Sequence, residues 1–378
     1  MAEKKILIVA GEASSDLHAA NLIREIKALD PKIKFFGLGG EKMRQAGAQI
    51  YYDLVELAVV GFFEVIKNLK KFKEIFNLIL NKTDLIHPDL AILVDYPGFN
   101  LRLAKQLKKR QIPVIYYISP QIWAWGRNRT KTIKRLINKM LVFFKFEEEL
   151  YKKEEIPVSF VGHPLLDTAR PTLMKEEIFN KFHIRPTRFT ITLLPGSRLR
   201  EVKAHLPIML ETAHLIHKEL AEVQFLILRT STVKEEIYNK ILAPYKLPLH
   251  LLTDITYDGL AYCDFAIVAS GTATLETAIL GIPMAIIYKV SFLTWLYLKA
   301  MIKIPYIGMV NIIANEMIVP EFIQYNAKPR KIANYAIRTL THEEEHNRIK
   351  QLLFKVKSRL GEPNATQRAA REILECLK

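Results

Sequence analysis

Asp95 directly follows the apolar run Leu90–Val94 and precedes Tyr96, Pro97 and Gly98, so it stands where a buried strand ends. A carboxylate in that place suits general-base work, taking a proton from an attacking hydroxyl. It suits equally well the capping of a helix that begins near Gly98, and position alone does not separate the two. Glu12 holds the matching place after the first apolar run, Lys5–Ala10, where it can bind substrate hydroxyls or tune a neighbouring acid. Ser14, Ser15 and Asp16 come next and read as caps of the following helix. The loop Gly11–Asp16 lacks the G-x-G-x-x-G spacing, so it is not a dinucleotide fingerprint.

Two segments of the second half share one logic. Leu194-Pro195-Gly196-Ser197-Arg198 ends a strand and opens a helix, where backbone N–H groups and an Arg fork together suit a phosphate. Ser270, Gly271, Thr272 and Ala273 repeat the arrangement after Phe265–Ala269, with Glu276 one turn on, in reach of a ribose. Turns of this kind are common singly. Two in one domain favour a nucleotide-diphosphate site. No G-x-x-x-x-G-K-[ST] and no D-x-D occurs, and the ten histidines are scattered. His214 and His217 share a helix without a third ligand, and His163 falls in a linker and reads as structural. The reading calls for no metal and no cofactor.

Short apolar runs that alternate with helical patterns must hold these residues in place. Lys5–Ala10, Leu90–Val94, Val114–Tyr117, Met140–Phe144 and Val158–Val161 read as strands buried on both faces. The pattern breaks over Gly162–Pro171, then resumes with Phe189–Leu194, Val223–Leu228, Leu249–Leu252, Phe265–Ala269 and Met284–Tyr288. Pro363 marks the start of a last helix. The fold class is α/β: two doubly wound, Rossmann-like domains facing a cleft, where ligands meet the C-terminal ends of strands. Residues 1–165 form the first domain, completed by the C-terminal helices 343–378, and residues 170–342 form the second.

Composition narrows the partners. Lys and Arg number 55 against 39 Asp and Glu, a net charge of +16, in a chain of 378 residues that is half apolar. The uncharged run Gln111–Gly126 holds two prolines and is shorter than the roughly 18 residues of a spanning helix. No secretion signal is evident at the start. Cys263 and Cys376 are too few for a disulfide framework. The basic excess suits nucleic acid, an acidic bilayer or phosphorylated substrates. Trp123 and Trp125 lie in a Pro-containing loop ahead of Arg127, Arg129, Lys131, Lys134 and Arg135, a basic cluster that reads first as a solvated helix face. Leu57–Leu80 is densely apolar but interrupted by Lys67, Lys70, Lys71 and Lys73; Val290–Ile313 is similar. Either segment fits core packing, and the pair in one basic protein favours an anionic membrane surface.

Taken together, VAGEASSD, ELAVVGFFEV, VDYPGFN, SPQIWAW, FVGHPL, LLPGSR and ASGTATLE make the chain resemble, almost end to end, the lipid-A-disaccharide synthase family. The resemblance implies the two-domain B-type glycosyltransferase fold and an inverting transfer of 2,3-diacylglucosamine from UDP-2,3-diacylglucosamine to lipid X, 2,3-diacylglucosamine 1-phosphate. The product is a β-1,6-linked disaccharide phosphate of lipopolysaccharide biosynthesis, with UDP released. It places the family's essential aspartate on Asp95 and its essential arginine on Arg198. The nucleotide pattern falls on Gly271, Thr272, Ala273 and Glu276, a donor-side asparagine on Asn311, and the first loop on Glu12 and Ser14. It further implies a cytoplasmic protein, peripheral on the cytoplasmic face of the inner membrane. The C-terminal helices either complete the first domain or exchange between subunits of a homodimer.

Two positions depart from the family: serine at 15, where glycine is expected, and glycine at 98, where an acidic residue is expected. The second puts any two-carboxylate mechanism near Asp95 in doubt. Among rivals, a lipid-linked N-acetylglucosamine transferase would carry a Gly-rich first loop, and a UDP-sugar 2-epimerase would not need the apolar segments. A nucleic-acid-binding protein would explain the charge but not two phosphate-type turns, and no nucleic-acid module is visible, so nucleic acid is not expected.

Overall fold

A computed structural model of the protein describes residues 3–58, 69–125, 129–186, 188–292, 294–296 and 304–377. The chain divides into two compact units, Met1–Pro164 with Gly361–Lys378, and Leu165–Leu360.

The first unit is built on a seven-stranded sheet: β1 (Lys5–Ala10), β2 (Lys34–Gly39), β3 (Ala48–Asp53), β4 (Leu90–Val94), β5 (Val114–Tyr117), β6 (Lys139–Val142) and β7 (Val158–Phe160). Every pairing is parallel and the order is β3-β2-β1-β4-β5-β6-β7. Ile6, Ile8 and Ala10 face the helix Ala13–Leu29, while Leu7 and Val9 join the opposite core with Leu103 and Leu107; all five strand residues are fully buried. Full burial contributes roughly 1.5–3 kcal/mol for each large aliphatic side chain, so a strand covered on both faces is mostly apolar.

β2 and β3 are absent from the sequence reading for a visible reason. Gly37 and Gly39 interrupt the apolar run of β2, yet Gly37 is needed there: a Cβ would come within 1.8 Å of the Ile8 carbonyl oxygen on β1. β3 is an edge strand whose residues are only partly buried beyond Ile50.

The second unit repeats the plan with β8 (Phe189–Leu194), β9 (Val223–Arg229), β10 (Leu249–Thr253), β11 (Phe265–Ala269), β12 (Met284–Tyr288) and β13 (Glu321–Ile323), ordered β10-β9-β8-β11-β12-β13 and again all parallel. Each sheet therefore has one topological switch point, between β1 and β4 and between β8 and β11. In open α/β sheets that is where ligands bind.

The chain returns to the first unit later than residue 343. Helix Glu343–Ser358 stays with the second unit, burying Ile349, Leu353 and Val356 against it, and Arg359 donates to the carbonyls of Ile313 and Ala314. Only the helix Ala365–Glu375 packs on the first unit, laying Ala369, Ala370 and Ile373 against the helix Ala13–Leu29. An ion pair between Glu372 and Lys139 and an Arg368 bond to the Val161 carbonyl fix it there. Pro363 does not open this helix: Asn364, in a left-handed conformation, is its N-cap.

Candidate active site

Ala10 pairs with Val94 in the register of β1 and β4, so the residues after them emerge side by side at the first switch point. Glu12 is the N-cap of the helix Ala13–Leu29, and Ser15 closes the turn by accepting the Glu12 N–H at 2.9 Å and donating to its carbonyl at 2.8 Å. Serine in place of the expected glycine thus tightens this loop. Asp16 caps a different helix, accepting the N–H groups of Gly40, Lys42 and Met43. Ser14 and Glu12 remain exposed.

Asp95 and Tyr96 are both in the left-handed region, with φ of 47° and 46°. Each such non-glycine residue costs on the order of 1 kcal/mol and persists only where its surroundings hold it. The surroundings are specific. The Asp95 carbonyl accepts bonds from Asn100 Nδ2 at 2.8 Å and Tyr116 Oη at 2.5 Å, and its N–H donates to Tyr117. Pro97 then opens the helix Pro97–Lys109. Burial, and next the charge of Glu12, push the Asp95 carboxyl up to about 6. The same two causes raise the Tyr96 hydroxyl. A side chain at Gly98 would meet no atom within 4 Å; the carboxylate whose charge acts on Asp95 is that of Glu12.

On the helix Lys145–Lys153, Glu147 is buried and pushed up to about 8 by that burial, against hydrogen bonds from Trp123 and Ser119. Trp123 Nε1 donates to it at 3.3 Å, which ties the helix Ile122–Trp125 to the helix Lys145–Lys153. His18 and His163 flank the Phe143 ring; burial holds them down to about 4 and about 3, with Lys42 adding at His18 and His18 adding at His163. Both are neutral imidazoles at pH 7.

At the second switch point, the turns after β8 and β11 lie on adjacent strands. Arg198 is exposed, its guanidinium 3.7 Å from Glu201. The N–H groups of Ser197 and Arg198 do not project freely, because Glu201 accepts both at 3.0 and 3.1 Å. An anion at this turn therefore meets the Arg198 side chain and not those two donors. Gly271, Thr272 and Ala273 instead begin the helix Thr272–Ile279, whose first N–H groups have no intrahelical acceptor. Gly271 has φ of 153°, and a Cβ there would meet nothing within 4 Å, leaving the backbone approachable.

Ser270 Oγ donates to the Ile307 carbonyl. Asn311 is wholly buried, and its amide is consumed within the fold: it donates to Val319 and Glu321 and accepts from Ile318 and Val319. Glu321 in turn accepts the N–H groups of Ile307 and Gly308, so the Asn311 side chain is linked through Glu321 to the segment that accepts the Ser270 hydroxyl. Glu276 is raised by burial and receives Tyr257 Oη at 3.0 Å.

A sequence model of lipid-A-disaccharide synthetase matches residues 6–373. The chain belongs to that family. It is 42% identical to the lipid-A-disaccharide synthase of Syntrophus aciditrophicus, over 100% of this chain and 99% of that one. It is also 42% identical to that of Geobacter sulfurreducens, over 99% and 97%. Among solved structures, a calicheamicin glycosyltransferase aligns with a TM-score of 0.64 at 12% identity over 100% and 99% of the two chains. The UDP-GlcNAc 2-epimerase of Neisseria meningitidis, solved with UDP-GlcNAc, aligns at 0.59 and 13% over 99% of each. These two show the fold alone.

As a member of the lipid-A-disaccharide synthetase family the protein is a glycosyltransferase of lipid A biosynthesis. Within that frame, several residues that hold the site have no sequence signal of their own. Asn100 and Tyr116 pin Asp95, Tyr257 holds Glu276, and Glu321 braces the Ser270 turn; each acts through a contact between distant or unremarkable positions. Of the basic cluster, Arg127 lies outside the described residues, Arg129, Lys131 and Arg135 are exposed, and Lys134 pairs with Glu155. Among the described residues no group of three or more His, Cys, Asp or Glu is arranged to hold a metal. His214 is exposed on the helix Leu199–Glu219. A separate hollow between Phe179, Arg188, Thr190, Tyr262 and Asp264 lies at the opposite, N-terminal edge of the second sheet.

Proposed function

We propose that the protein transfers 2,3-diacylglucosamine from UDP-2,3-diacylglucosamine to the 6-hydroxyl of 2,3-diacylglucosamine 1-phosphate, with inversion, giving the β-1,6-linked disaccharide 1-phosphate and UDP. The observation that carries the reading is the Asp95 carboxyl, half-buried at a strand end, strained in backbone and raised to about 6. Such a carboxylate is ionised at neutral pH and more basic than an ordinary aspartate, as a base for a hydroxyl should be.

In this reading Asp95 takes the proton of the acceptor's 6-hydroxyl while the oxygen attacks the anomeric carbon on the face opposite UDP. The bond from that carbon to the diphosphate oxygen breaks, and negative charge grows on the leaving group. Arg198, the exposed Ser197 hydroxyl and the N–H groups of Gly271, Thr272 and Ala273 offset that charge. Glu276, steadied by Tyr257, accepts from a ribose hydroxyl. Glu12 keeps Asp95 basic, and Ser14 is available to the acceptor.

The reading includes docking on an anionic bilayer, which the +16 charge and the acylated substrates support. No described helix is long and apolar enough to cross a membrane. Of the first apolar segment, residues 59–68 lie outside the described residues. From residue 70 on it is core-packed, with Phe72, Ile75, Phe76 and Ile79 inward and Lys70, Lys71 and Lys73 exposed. Of the second, residues 293 and 297–303 are outside, while Phe292 and Leu296 are exposed at 61% and 56%. That pair is the better candidate for acyl contact.

The deciding experiment offers the two acylated substrates in detergent with excess EDTA. Disaccharide phosphate with stoichiometric UDP supports the whole reading. Product only on adding magnesium would break its metal-independent part. No product under either condition, with UDP still bound, would point to other sugar-nucleotide chemistry.

A further inference from the structure

His205 lies in the second turn of the helix Leu199–Glu219 and is 1% exposed. Nδ1 is 3.0 Å from the Pro195 carbonyl oxygen, and Nε2 is 3.1 Å from the Lys289 main-chain nitrogen. A peptide N–H can only donate, so Nε2 is the acceptor and the ring proton sits on Nδ1, donating to Pro195. One neutral tautomer satisfies both contacts. Burial holds the imidazole pKa down, in keeping with that form.

The two partners belong to different loops. Pro195 begins the turn that carries Ser197 and Arg198 after β8, and Lys289 directly follows β12. β11 lies between those strands, and the turn it carries is Ser270–Thr272, whose Ser270 N–H donates to Ile287 on β12. A single ring therefore ties the two outer loops across the middle one. A histidine that only filled core volume would not need both nitrogens on main-chain atoms of two loops at the same sheet edge.

We propose that His205 is a positioning residue for the donor diphosphate: it sets the spacing between the Pro195–Arg198 turn and the Ser270–Thr272 turn without touching the ligand. The inference rests on the reading of the second unit as the donor-binding unit.

Substitution separates the two contacts. Asparagine can present an amide N–H near the place of Nδ1, and glutamine a carbonyl near that of Nε2, so each keeps one bond; alanine keeps neither. A lost bond of this kind is worth about tenfold in binding. Donor KM and the Kd for UDP alone are expected to rise about tenfold in His205→Asn and His205→Gln, and about a hundredfold in His205→Ala. Acceptor KM and kcat should stay within about twofold. If all three variants melt lower but bind UDP and donor like the wild type, the residue is structural and the proposal is wrong. A fall in kcat at unchanged donor KM overturns it as well. Failure of the underlying reading looks different, because the wild-type protein would then not bind UDP.

Discussion

The ring of Tyr96 lies on the Cα of Gly11, so close that a Cβ at position 11 would stand 2.3 Å from the ring's Cδ1. The contact joins the loops after β1 and β4 and presses on a residue whose backbone is already left-handed. Gly11→Ala must push the ring away and disturb Asp95 beside it. Turnover is expected to fall more than about tenfold, while Gly11→Ala combined with Tyr96→Ala should do no worse than Tyr96→Ala alone. Additive losses in that double-mutant cycle would show that the contact does not govern Asp95.

Asp95→Asn removes the base and its half-buried charge together. Turnover should drop by several orders of magnitude with UDP affinity unchanged, as steady-state assays and calorimetry can measure. The folded carboxyl binds its proton up to about 6 against the ordinary value of 3.8, so above that window its ionised form destabilises the fold. The amide should therefore stabilise the first unit at pH 7 by on the order of 1–3 kcal/mol. A variant with normal turnover would remove Asp95 from the mechanism.

The fold was legible because its central strands are apolar on both faces, and Lys5–Ala10 or Phe265–Ala269 can be little else. β2 escaped because Gly37 and Gly39, which let it approach β1, are the residues that argue against a strand in isolation. Asp95 could be singled out by its place after a strand, but not its strain, its Asn100 and Tyr116 supports or its coupling to Glu12, which arise between segments far apart in sequence. The P-G-S-R turn reads in sequence as backbone N–H donors at a helix start plus an arginine. Glu201, three residues on, takes those of Ser197 and Arg198. A capping side chain competes with an anion for the same helix end, and sequence spacing does not say which one holds it.

Glu12 offers a test of that coupling through pH. Its charge is the second cause that raises Asp95, so removing it must lower the Asp95 pKa. The wild-type protein should show kcat/KM rising with pH through about 6 as the base ionises. Glu12→Gln should move this acid limb to lower pH and reduce the plateau, since the base is weaker. An acid limb unmoved by the substitution would mean that burial alone sets the Asp95 pKa.

Glu147 makes the opposite case, a buried carboxyl with no charge to supply. In the fold it keeps its proton up to about 8, against 4.5 ordinarily, so between those values the folded state holds a proton that the unfolded chain has lost. Stability contributed by the protonated form is complete below 4.5 and is lost as pH rises through about 8. Glu147→Gln copies the neutral form and keeps an acceptor for Trp123 Nε1. At pH 4.5 the variant and the wild-type protein should melt within about two degrees of each other, and at pH 6 the variant should already melt higher. At pH 9 the first unit of the variant should melt several degrees higher. Parallel melting curves across that range would mean that Glu147 is ionised in the fold, and that Trp123 donates to a carboxylate instead of to a carboxylic acid.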